Sequence, residues 1–403
     1  MHKQTVRDID VSGKRVLVRV DYNVPIKDGV VGDTLRIEAS FETIKYLLDA
    51  GCSVVLMSHL GEPKGTPDPA YSLRPVAVKA SELLGRPIAF YDDVLSPQAL
   101  AAAQALEAGD VMMLENVRFH QEELDNNPDF AKKLAAFGEI YVNDAFAVDH
   151  RTQASVGAVT RYLPAVAGFL VEKEVTYIRG TIDKPNRPLV AIVGGAKVSS
   201  KIEVLESLIP KVDILMLGGA MANTFYLADG KQVGQSLAEP DQVEEARRLV
   251  ALAEAENTEL FLPEEVVVSK SLTEATDVRT VSVDGVEDDD YIVDAALSFA
   301  AKLSPAVNEF LDFDGKCTVI WNGPVGITEV PEFAKGSLAL AGAIVALPGE
   351  ISVIGGGDTA GFIDGAGRHD QFTWVSTGGG ASLELMSGKT LPGVEALMDK
   401  TSA

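Results

Sequence analysis

The stretch LVAIVGGAKVSSK at residues 189–201 joins five apolar residues to a double glycine and two lysines. A continuous apolar run of this length is typical of a strand that is buried on both faces, as in a parallel sheet covered by helices. A glycine directly after such a strand allows the backbone to approach a ligand closely and its N–H groups to point outward. The stretch therefore predicts a strand of a parallel sheet that ends at an anion site.

Three more glycine runs, at residues 218–219, 355–357 and 378–380, also follow short apolar runs. No two glycines are adjacent before Gly194. The apolar runs of the first half end in Arg, His, Asp and Asn instead. Because corresponding places in the two halves carry different chemistry, the sequence predicts a two-substrate enzyme.

Strand-like and helix-like segments alternate along the chain. Strands are predicted at residues 14–20, 53–57, 111–114 and 139–142. Helices are predicted from a cap at Asp33 to about Asp49, and from Ser96-Pro97 to Gly109, because each has start and stop signals. The alternation predicts an α/β fold of two Rossmann-like domains, each a parallel sheet covered by helices on both faces.

A helix followed by a proline-rich junction near residues 168–188 predicts the domain boundary. A length of 403 residues also favours two domains over one core. The predicted parts are an N-terminal domain at 1–167, a hinge helix with linker at 168–187, a C-terminal domain at 188–389, and a tail at 390–403 that packs back on the first domain.

A formal net charge of −24 argues against nucleic acid and anionic membranes as partners. Any phosphorylated ligand must therefore be held by locally placed cations and amides. No run approaches the roughly 18 apolar residues of a membrane span, and the first ten residues lack the apolar core of a signal peptide. These features predict a cytoplasmic protein, nothing in them demands more than a monomer, and Cys52 and Cys317 are predicted to be buried thiols.

Two charged motifs follow the glycine runs. Lys197 and Lys201 are four residues apart, which predicts one face of a helix near its N-terminus, where an anion is favoured. The alternative is a pair of solvated lysines. Asp358 directly after three glycines is interpreted as a ligand of a phosphate-bound Mg²⁺ or as the cap of the next helix, and one residue can do both.

Six segments together resemble one known family. They are RVDYNVP (19–25), LENVRF (114–119), NDAF (143–146), GGAKVSSK (194–201), VIWNGPVG (319–326) and STGGGASLE (376–384). They are close to the signatures of phosphoglycerate kinases and follow that family's order, and the resemblance runs from about residue 12 to 398. It implies a glycolytic phosphotransferase that moves a phosphoryl group reversibly from 1,3-bisphosphoglycerate to MgADP, giving 3-phosphoglycerate and MgATP.

The resemblance also implies which residues bind the two substrates. In the first half, the residues implied to hold the glycerate and its phosphate are Asp21, Asn23, Arg36, His59, Arg118, His150 and Arg151. In the second half, those implied to bind the nucleotide are Gly195, Lys197, Lys201, Gly219, Asn322, Pro324, Val325, Glu329, Gly355, Gly356, Gly357, Asp358 and Thr359. Asp358 is the implied metal ligand, and Trp321 is expected in the core.

The implied mechanism is direct in-line transfer after closure about the hinge helix. Arg36 and Lys197 would flank the moving group, with amides such as those of Gly356 and Gly379 at its equatorial oxygens. No general base is needed, because the acceptor is an ADP oxygen in one direction and an ionised carboxylate in the other.

The sequence departs from the family at two acidic positions. Glu62 stands where the family usually has an arginine that faces the substrate, and Asp149 stands where a small residue is common. One hypothesis is that Lys64, in the same loop, supplies the missing charge. The alternative is that the loop points away and the remaining arginines suffice.

Two other functions compete with the kinase. A dehydrogenase is suggested by a formal dinucleotide fingerprint at Gly355, Gly357 and Ala360, but no ribose-binding carboxylate follows at the usual distance and the arginines are left unexplained. A non-catalytic nucleotide-binding scaffold is supported only by Glu62. ATP-dependent phosphorylation of 3-phosphoglycerate separates the three.

Overall fold

The computed structural model describes residues 1–311 and 315–400, so the last three residues of the predicted tail lie outside the described residues. The chain forms two compact units. Unit 1 is Met1–Thr176 with the chain from Thr390 onward, and unit 2 is Tyr177–Lys389. The boundary between the units falls inside a helix, Phe169–Asp183, where the sequence predicts a hinge helix.

Unit 1 is built on a parallel sheet. Its strands are β1 (Arg15–Val20), β2 (Ile26–Lys27), β3 (Val30–Val31), β4 (Ser53–Met57), β5 (Ile88–Tyr91), β6 (Val111–Leu114), β7 (Ile140–Asp144) and β8 (Ala165–Ala167). Six of them form the sheet in the order β5-β6-β4-β1-β7-β8, and every pairing is parallel. β2 and β3 form a small antiparallel hairpin. Every residue of β4 is buried, which shows that both faces of the sheet are covered.

Several helices begin in the N-terminal segment of unit 1, and the last of them continues into unit 2. They are α1 (Leu35–Ala39), α2 (Phe41–Asp49), α3 (Arg74–Leu84), α4 (Pro97–Gln104), α5 (Gln121–Leu124), α6 (Pro128–Ala135) and α7 (Phe169–Asp183). Ser96 caps α4 as predicted, but the helix ends at Gln104 instead of Gly109. The helix predicted from Asp33 is two helices with a break at Ser40, whose hydroxyl contacts the backbone and Tyr22 instead of continuing one helix.

Unit 2 holds a second parallel sheet. Its strands are β9 (Leu189–Val193), β10 (Ile214–Leu217), β11 (Glu259–Phe261), β12 (Glu265–Ser269), β13 (Arg279–Ser282), β14 (Tyr291–Ala295), β15 (Cys317–Asn322), β16 (Glu350–Gly355) and β17 (Trp374–Val375). The parallel sheet has the order β11-β10-β9-β15-β16-β17. β13, β12 and β14 form a separate antiparallel sheet that the sequence pattern did not predict.

The helices of unit 2 lie between these strands in the chain. They are α8 (Ile202–Leu208), α9 (Met221–Ala228), α10 (Val243–Glu256), α11 (Leu297–Ala301), α12 (Leu303–Phe310), α13 (Lys335–Val345), α14 (Gly357–Gly365) and α15 (Gly380–Met386). The predicted fold of two helix-covered parallel sheets is confirmed. Trp321 and both cysteines are fully buried, as expected from the sequence.

The tail belongs to unit 1. It contains α16 (Pro392–Glu395) and pairs with the start of the chain, where Lys3 and Asp399 form an antiparallel bridge. Gln4 N donates to Met398 O at 2.8 Å, and Met398 N donates to Ala165 O at 2.9 Å. Within the described ranges, no helix is both long and apolar enough to cross a bilayer.

Candidate active site

The seven candidates of the first half gather at one edge of the sheet of unit 1. They follow the carboxyl ends of four neighbouring strands: Asp21 and Asn23 after β1, His59 after β4, Arg118 after β6, and His150 and Arg151 after β7. Arg36 joins them from α1. In an open parallel sheet this edge is where ligands bind.

Arg36 is held by the segment after β1. Its Nη1 lies 2.6 Å from Asp21 Oδ2 and 3.4 Å from Asn23 O. Asn23 Oδ1 in turn accepts from Gly61 N at 2.8 Å, which ties the segment after β1 to the one after β4. The Arg36 side chain is 28% exposed, so part of its guanidinium faces solvent while the rest is fixed.

Arg118 is almost fully buried beneath the same edge. Its Nη1 donates to Gly61 O at 3.0 Å and to Glu62 Oε1 at 3.3 Å. Burial and the neighbouring charges of Arg19 and Arg151 lower the pKa of Arg118 to about 10. Like charges held close together and away from water leave a positive field that an anion would relieve.

His59 is a neutral hydrogen-bonding group in this cluster. Arg19 Nη2 lies 3.2 Å from His59 Nδ1, and a guanidinium can only donate, so Nδ1 accepts and the proton is on Nε2. Burial, followed by the charges of Arg19 and Arg118, holds the pKa of His59 well below its ordinary value. His59 can therefore donate one hydrogen bond to a ligand without adding charge.

Arg19 was missed by the sequence analysis as a site residue. It is fully buried on β1, and its Nε donates to Ser155 Oγ at 2.9 Å. The available signal was an arginine near the end of an otherwise apolar strand, LVRV (17–20). Its guanidinium lies beneath the site and fixes the orientation of His59.

The two acidic departures from the family behave differently. Glu62 Oε1 lies 3.1 Å from Arg151 Nη1 and contacts Arg118, so this carboxylate is inside the arginine cluster. Asp149 is fully buried, and its Oδ1 accepts from Asn143 Nδ2 at 2.6 Å. Burial raises the pKa of Asp149 to about 8, so the carboxyl group is largely uncharged at neutral pH. Its backbone O accepts from Gly393 N, so Asp149 supports the tail instead of adding charge to the site.

In unit 2 a cavity of about 300 Å³ lies at the carboxyl edge of the sheet. Six of the predicted nucleotide residues line it: Gly195, Gly219, Pro324, Val325, Glu329 and Asp358. Apolar side chains that the sequence analysis missed complete the lining, among them Leu237 and Leu272, which are 49% and 43% exposed. Half-exposed leucines at a cavity are suited to cover a flat apolar ligand.

The glycines of unit 2 have two different functions in the fold. A Cβ on Gly194 would lie 2.2 Å from Pro324 O, and a Cβ on Gly219 would lie 2.8 Å from Gly195 N, so these positions allow backbones to cross closely. A Cβ on Gly357 or Gly379 would have no atom of the described residues within 4 Å. Gly357 and Gly379 therefore leave open space at the starts of α14 and α15, whereas Gly194 and Gly219 allow the close backbone crossing beside the cavity.

Asn322 and Lys201 form a polar pair beside the third glycine run. Lys201 Nζ donates to Asn322 Oδ1. Asn322 Nδ2 is buried with no hydrogen-bond partner among the described residues, and it would be 3.2 Å from a Cβ on Gly355. Burial lowers the pKa of Lys201 to about 8, against the attraction of Asp358. A buried amide donor and a partly buried ammonium fit an anionic group at this loop.

The helix predicted to begin after Gly195 begins later. α8 starts at Ile202, so Lys197 lies in a loop and Lys201 is the residue before the helix. The prediction that both lysines share one face of a helix is therefore wrong. Ser199 explains the difference, because its N and Oγ both donate to Glu239, which holds the loop against a distant segment.

Asp358 and Thr359 stand at the start of α14. Asp358 is exposed in the first turn of α14 and lines the cavity. Among the described residues, its side chain makes no capping hydrogen bond to the helix N-terminus. An exposed carboxylate supplies the oxygen ligands that Mg²⁺ prefers. Thr359 is fully buried, and its hydroxyl accepts from Gly323 N at 2.7 Å. Thr359 thus braces the loop that carries Pro324.

Comparison with known proteins identifies relatives over nearly the full length. The profile of the family described as "Phosphoglycerate kinase" matches residues 6–389. The phosphoglycerate kinase of Finegoldia magna is 44% identical over 402 residues, which cover 99% of this chain and 100% of the relative. That of Chloroflexus aurantiacus is 47% identical over 404 residues, with the same shares covered.

Solved structures are similar over the same length. The phosphoglycerate kinase of Coxiella burnetii has a TM-score of 0.85 and 36% identity, and covers 98% of each chain. The enzyme of Pyrococcus horikoshii has a TM-score of 0.84 and 29% identity, also over 98% of each chain. The motifs, the strand-end sites and the relatives agree: the chain belongs to the phosphoglycerate kinase family and is a phosphotransferase of glycolysis.

Proposed function

We propose that the two sites of this kinase divide its substrates between the units. Unit 1 binds 3-phosphoglycerate or 1,3-bisphosphoglycerate, and unit 2 binds ADP or ATP. The reaction is the reversible transfer of a phosphoryl group from 1,3-bisphosphoglycerate to ADP. The observation that carries the assignment is the contrast between the sites: guanidiniums at one sheet edge, and open glycine amides beside an apolar cavity at the other.

In unit 1, the side chains offer complementary groups to a phosphorylated glycerate. The guanidiniums of Arg118 and Arg151 suit phosphate oxygens, with His150 beside Arg151. His59 Nε2 supplies a neutral donor, and Asp21 with Asn23 can bond the glycerate hydroxyl. Because the net charge of the chain repels anions at long range, this local cluster supplies the attraction.

In unit 2, the base, ribose and phosphates use different parts of the site. Gly195, Gly219, Pro324 and Val325 wall the adenine pocket, and Glu329 at the exposed rim bonds the ribose hydroxyls. The phosphate groups are held by Lys201, Asn322, the buried Thr359 from below, and the amides of residues 355–357 and 378–380.

Mg²⁺ fits the start of α14, where Asp358 would hold it together with nucleotide phosphate oxygens. Bound there, the ion would neutralise phosphate charge. The open space above Gly357 and the exposure of Asp358 support this assignment.

Catalysis in this proposal is alignment and charge neutralisation. Arg36 from unit 1 and Lys197 from unit 2 would flank the transferred group, whose equatorial oxygens are met by amides such as those of Gly356 and Gly379. The conformation of Gly356, with φ of +88°, and of Gly379, with φ of +50°, favours glycine and sets the direction of the amides that follow. No residue is needed to remove a proton.

The kinase is further expected to transfer the phosphoryl group in line after closure about α7, to be a cytoplasmic monomer, and to bind neither nucleic acid nor membranes. The domain limits expected from the sequence and the replacement of the missing arginine charge by Lys64 also stay predictions. Lys64 stands beside the site with φ of +54°, and its charge helps lower the pKa of Glu62.

Titration of two variants with both substrates tests the division between the units. Arg118→Lys is expected to weaken 3-phosphoglycerate binding at least tenfold and to leave MgADP binding unchanged, because a lysine cannot replace two guanidinium donors. Lys201→Met is expected to do the reverse. Calorimetric titration of the folded full chain measures both constants. The assignment fails if either variant loses the substrate given to the other unit.

The low pKa of Lys201 makes nucleotide affinity depend on pH. Bound phosphate favours the ammonium form, so binding takes up a proton wherever free Lys201 is neutral. MgADP affinity is therefore expected to be constant well below pH 8 and to fall as pH rises from 8 to 9. Calorimetry at pH 8 in buffers of different ionisation enthalpy measures the proton uptake. Lys201→Met serves as control, and equal uptake in that variant contradicts the assignment.

A further inference from the structure

The carboxylate of Glu62 contacts both of the arginines, Arg118 and Arg151, that are proposed to bind the substrate phosphate in unit 1. A single oxygen, Oε1, lies 3.3 Å from Arg118 Nη1 and 3.1 Å from Arg151 Nη1. The Glu62 side chain is 64% exposed, whereas that of Arg118 is only 3% exposed. The carboxylate therefore covers buried guanidinium donors from the solvent side.

The charges around Glu62 favour this position. The hydrogen bond from Arg151, together with the charges of Arg118 and Arg151, lowers the pKa of Glu62 despite its partial burial. In return, the Glu62 charge opposes the fall in the pKa of Arg118 that burial and neighbouring arginines cause. Glu62 is thus the counter-ion of a crowded positive cluster.

The surrounding backbone allows the carboxylate to leave without disturbing Arg118. Gly61 is fixed from both sides, since its N donates to Asn23 Oδ1 and its O accepts from Arg118 Nη1 at 3.0 Å. Arg118 therefore keeps a partner when Glu62 rotates away. Because the Glu62 side chain is mostly exposed, its carboxylate can be hydrated after rotation.

A phosphate and this carboxylate compete for the same donors. Both bind guanidinium N–H groups at the same distances, and two anions at one Nη1 would repel each other. We propose that Glu62 is an intramolecular competitor of the substrate phosphate: it neutralises Arg118 and Arg151 in the free enzyme and is displaced when phosphoglycerate binds. This inference rests on the proposed role of both arginines.

The competitor lowers the affinity of every ligand that needs the two arginines, inorganic phosphate included. Glu62 belongs to unit 1 and is assigned no part in nucleotide binding or in the chemical step. Its signature is therefore a change in the phosphoglycerate KM and in inhibition by inorganic phosphate, with kcat and the nucleotide KM preserved.

Glu62→Gln tests the proposal, because it keeps the shape of the side chain and removes its charge. The KM for 3-phosphoglycerate is expected to fall about three- to tenfold, the range given by two partly exposed ion pairs. The inhibition constant of inorganic phosphate is expected to fall by a similar factor, with kcat changed by less than about twofold. A KM that stays constant or rises overturns the proposal.

Two further variants make the result decisive. Asp49→Asn removes one negative charge from an exposed position at the end of α2, just before the amino end of β4 and thus away from the carboxyl edge that carries the site, and is expected to leave both constants unchanged. An effect there equal to that of Glu62→Gln would assign the change to net charge and overturn the proposal.

Arg151→Ala distinguishes the role of Glu62 as a competitor from the role of Arg151 in substrate binding. It is expected to raise the 3-phosphoglycerate KM, and thermal unfolding checks that the variant is folded. If it raises KM while Glu62→Gln has no effect, the competitor is excluded and the substrate assignment stands. If Arg151→Ala leaves KM unchanged, the role of Arg151 fails, and the competitor fails with it.

Discussion

Replacing Arg36 with alanine is expected to lower kcat about a thousandfold, the loss typical of a cation or oxyanion donor that acts in the transition state. Asp21 and the backbone of Asn23 hold the guanidinium in place before substrate arrives, so little reorganisation is needed during transfer. Its partly exposed remainder is the portion that can face the moving phosphoryl group. An ATP-dependent assay with 3-phosphoglycerate measures kcat and both KM values.

Two controls sharpen this result. Arg36→Lys keeps the charge but loses the planar fork, so we expect an intermediate kcat. Arg74→Ala removes an exposed arginine of the same unit that pairs with Asp92 outside the cluster, and it should leave kcat unchanged. A kcat for Arg36→Ala within tenfold of the parent enzyme would exclude a transition-state role for this residue.

The second large effect is expected from Gly194→Ala in unit 2. The new Cβ would lie 2.2 Å from Pro324 O and 2.4 Å from Gly323 O, and both are backbone atoms that cannot rotate away. The loop after β15 must shift, and with it the cavity wall formed by Pro324 and Val325. We expect a loss of about 3 kcal/mol in stability and at least a tenfold loss of MgADP affinity.

Gly361→Ala is the matched control for this substitution. Gly361 is an exposed residue of α14, and within the part of the chain that the structure describes an added Cβ would meet no atom outside its own helix within 4 Å. Alanine there should raise stability by roughly 0.5–1 kcal/mol. Thermal unfolding and calorimetric titration with MgADP measure both variants, and a Gly194→Ala enzyme with the parent's melting temperature and affinity would contradict the close-crossing argument.

The predictable parts of this protein are those set by local sequence. Continuous apolar runs predicted β4 and β6 with the bounds that the structure shows, because a strand buried on both faces is apolar at nearly every position. The residues directly after the strands then shared a sheet edge, since parallel strands end together. That geometry brought Asp21, His59 and Arg118 into one cluster without any knowledge of their contacts.

The parts that failed depend on contacts between distant segments. The loop of Lys197 is not helical because Glu239 binds Ser199, and no pattern within eight residues of Lys197 contains that partner. The position of Glu62 depends on two arginines that follow 56 and 89 residues later. The sequence identifies such charges but cannot assign their pairings. It therefore could not decide whether the loop of Glu62 faces the site or points away from it.

The pairing of Lys3 with Asp399 also sets an order for biosynthesis. Unit 2 is one continuous segment, Tyr177–Lys389, so all of its residues are translated before the tail. Unit 1 lacks the partner of Lys3 and the support of Gly393 beneath Asp149 until the tail emerges. Unit 1, although its first segment is translated first, therefore cannot complete its native contacts until all of unit 2 has been synthesised.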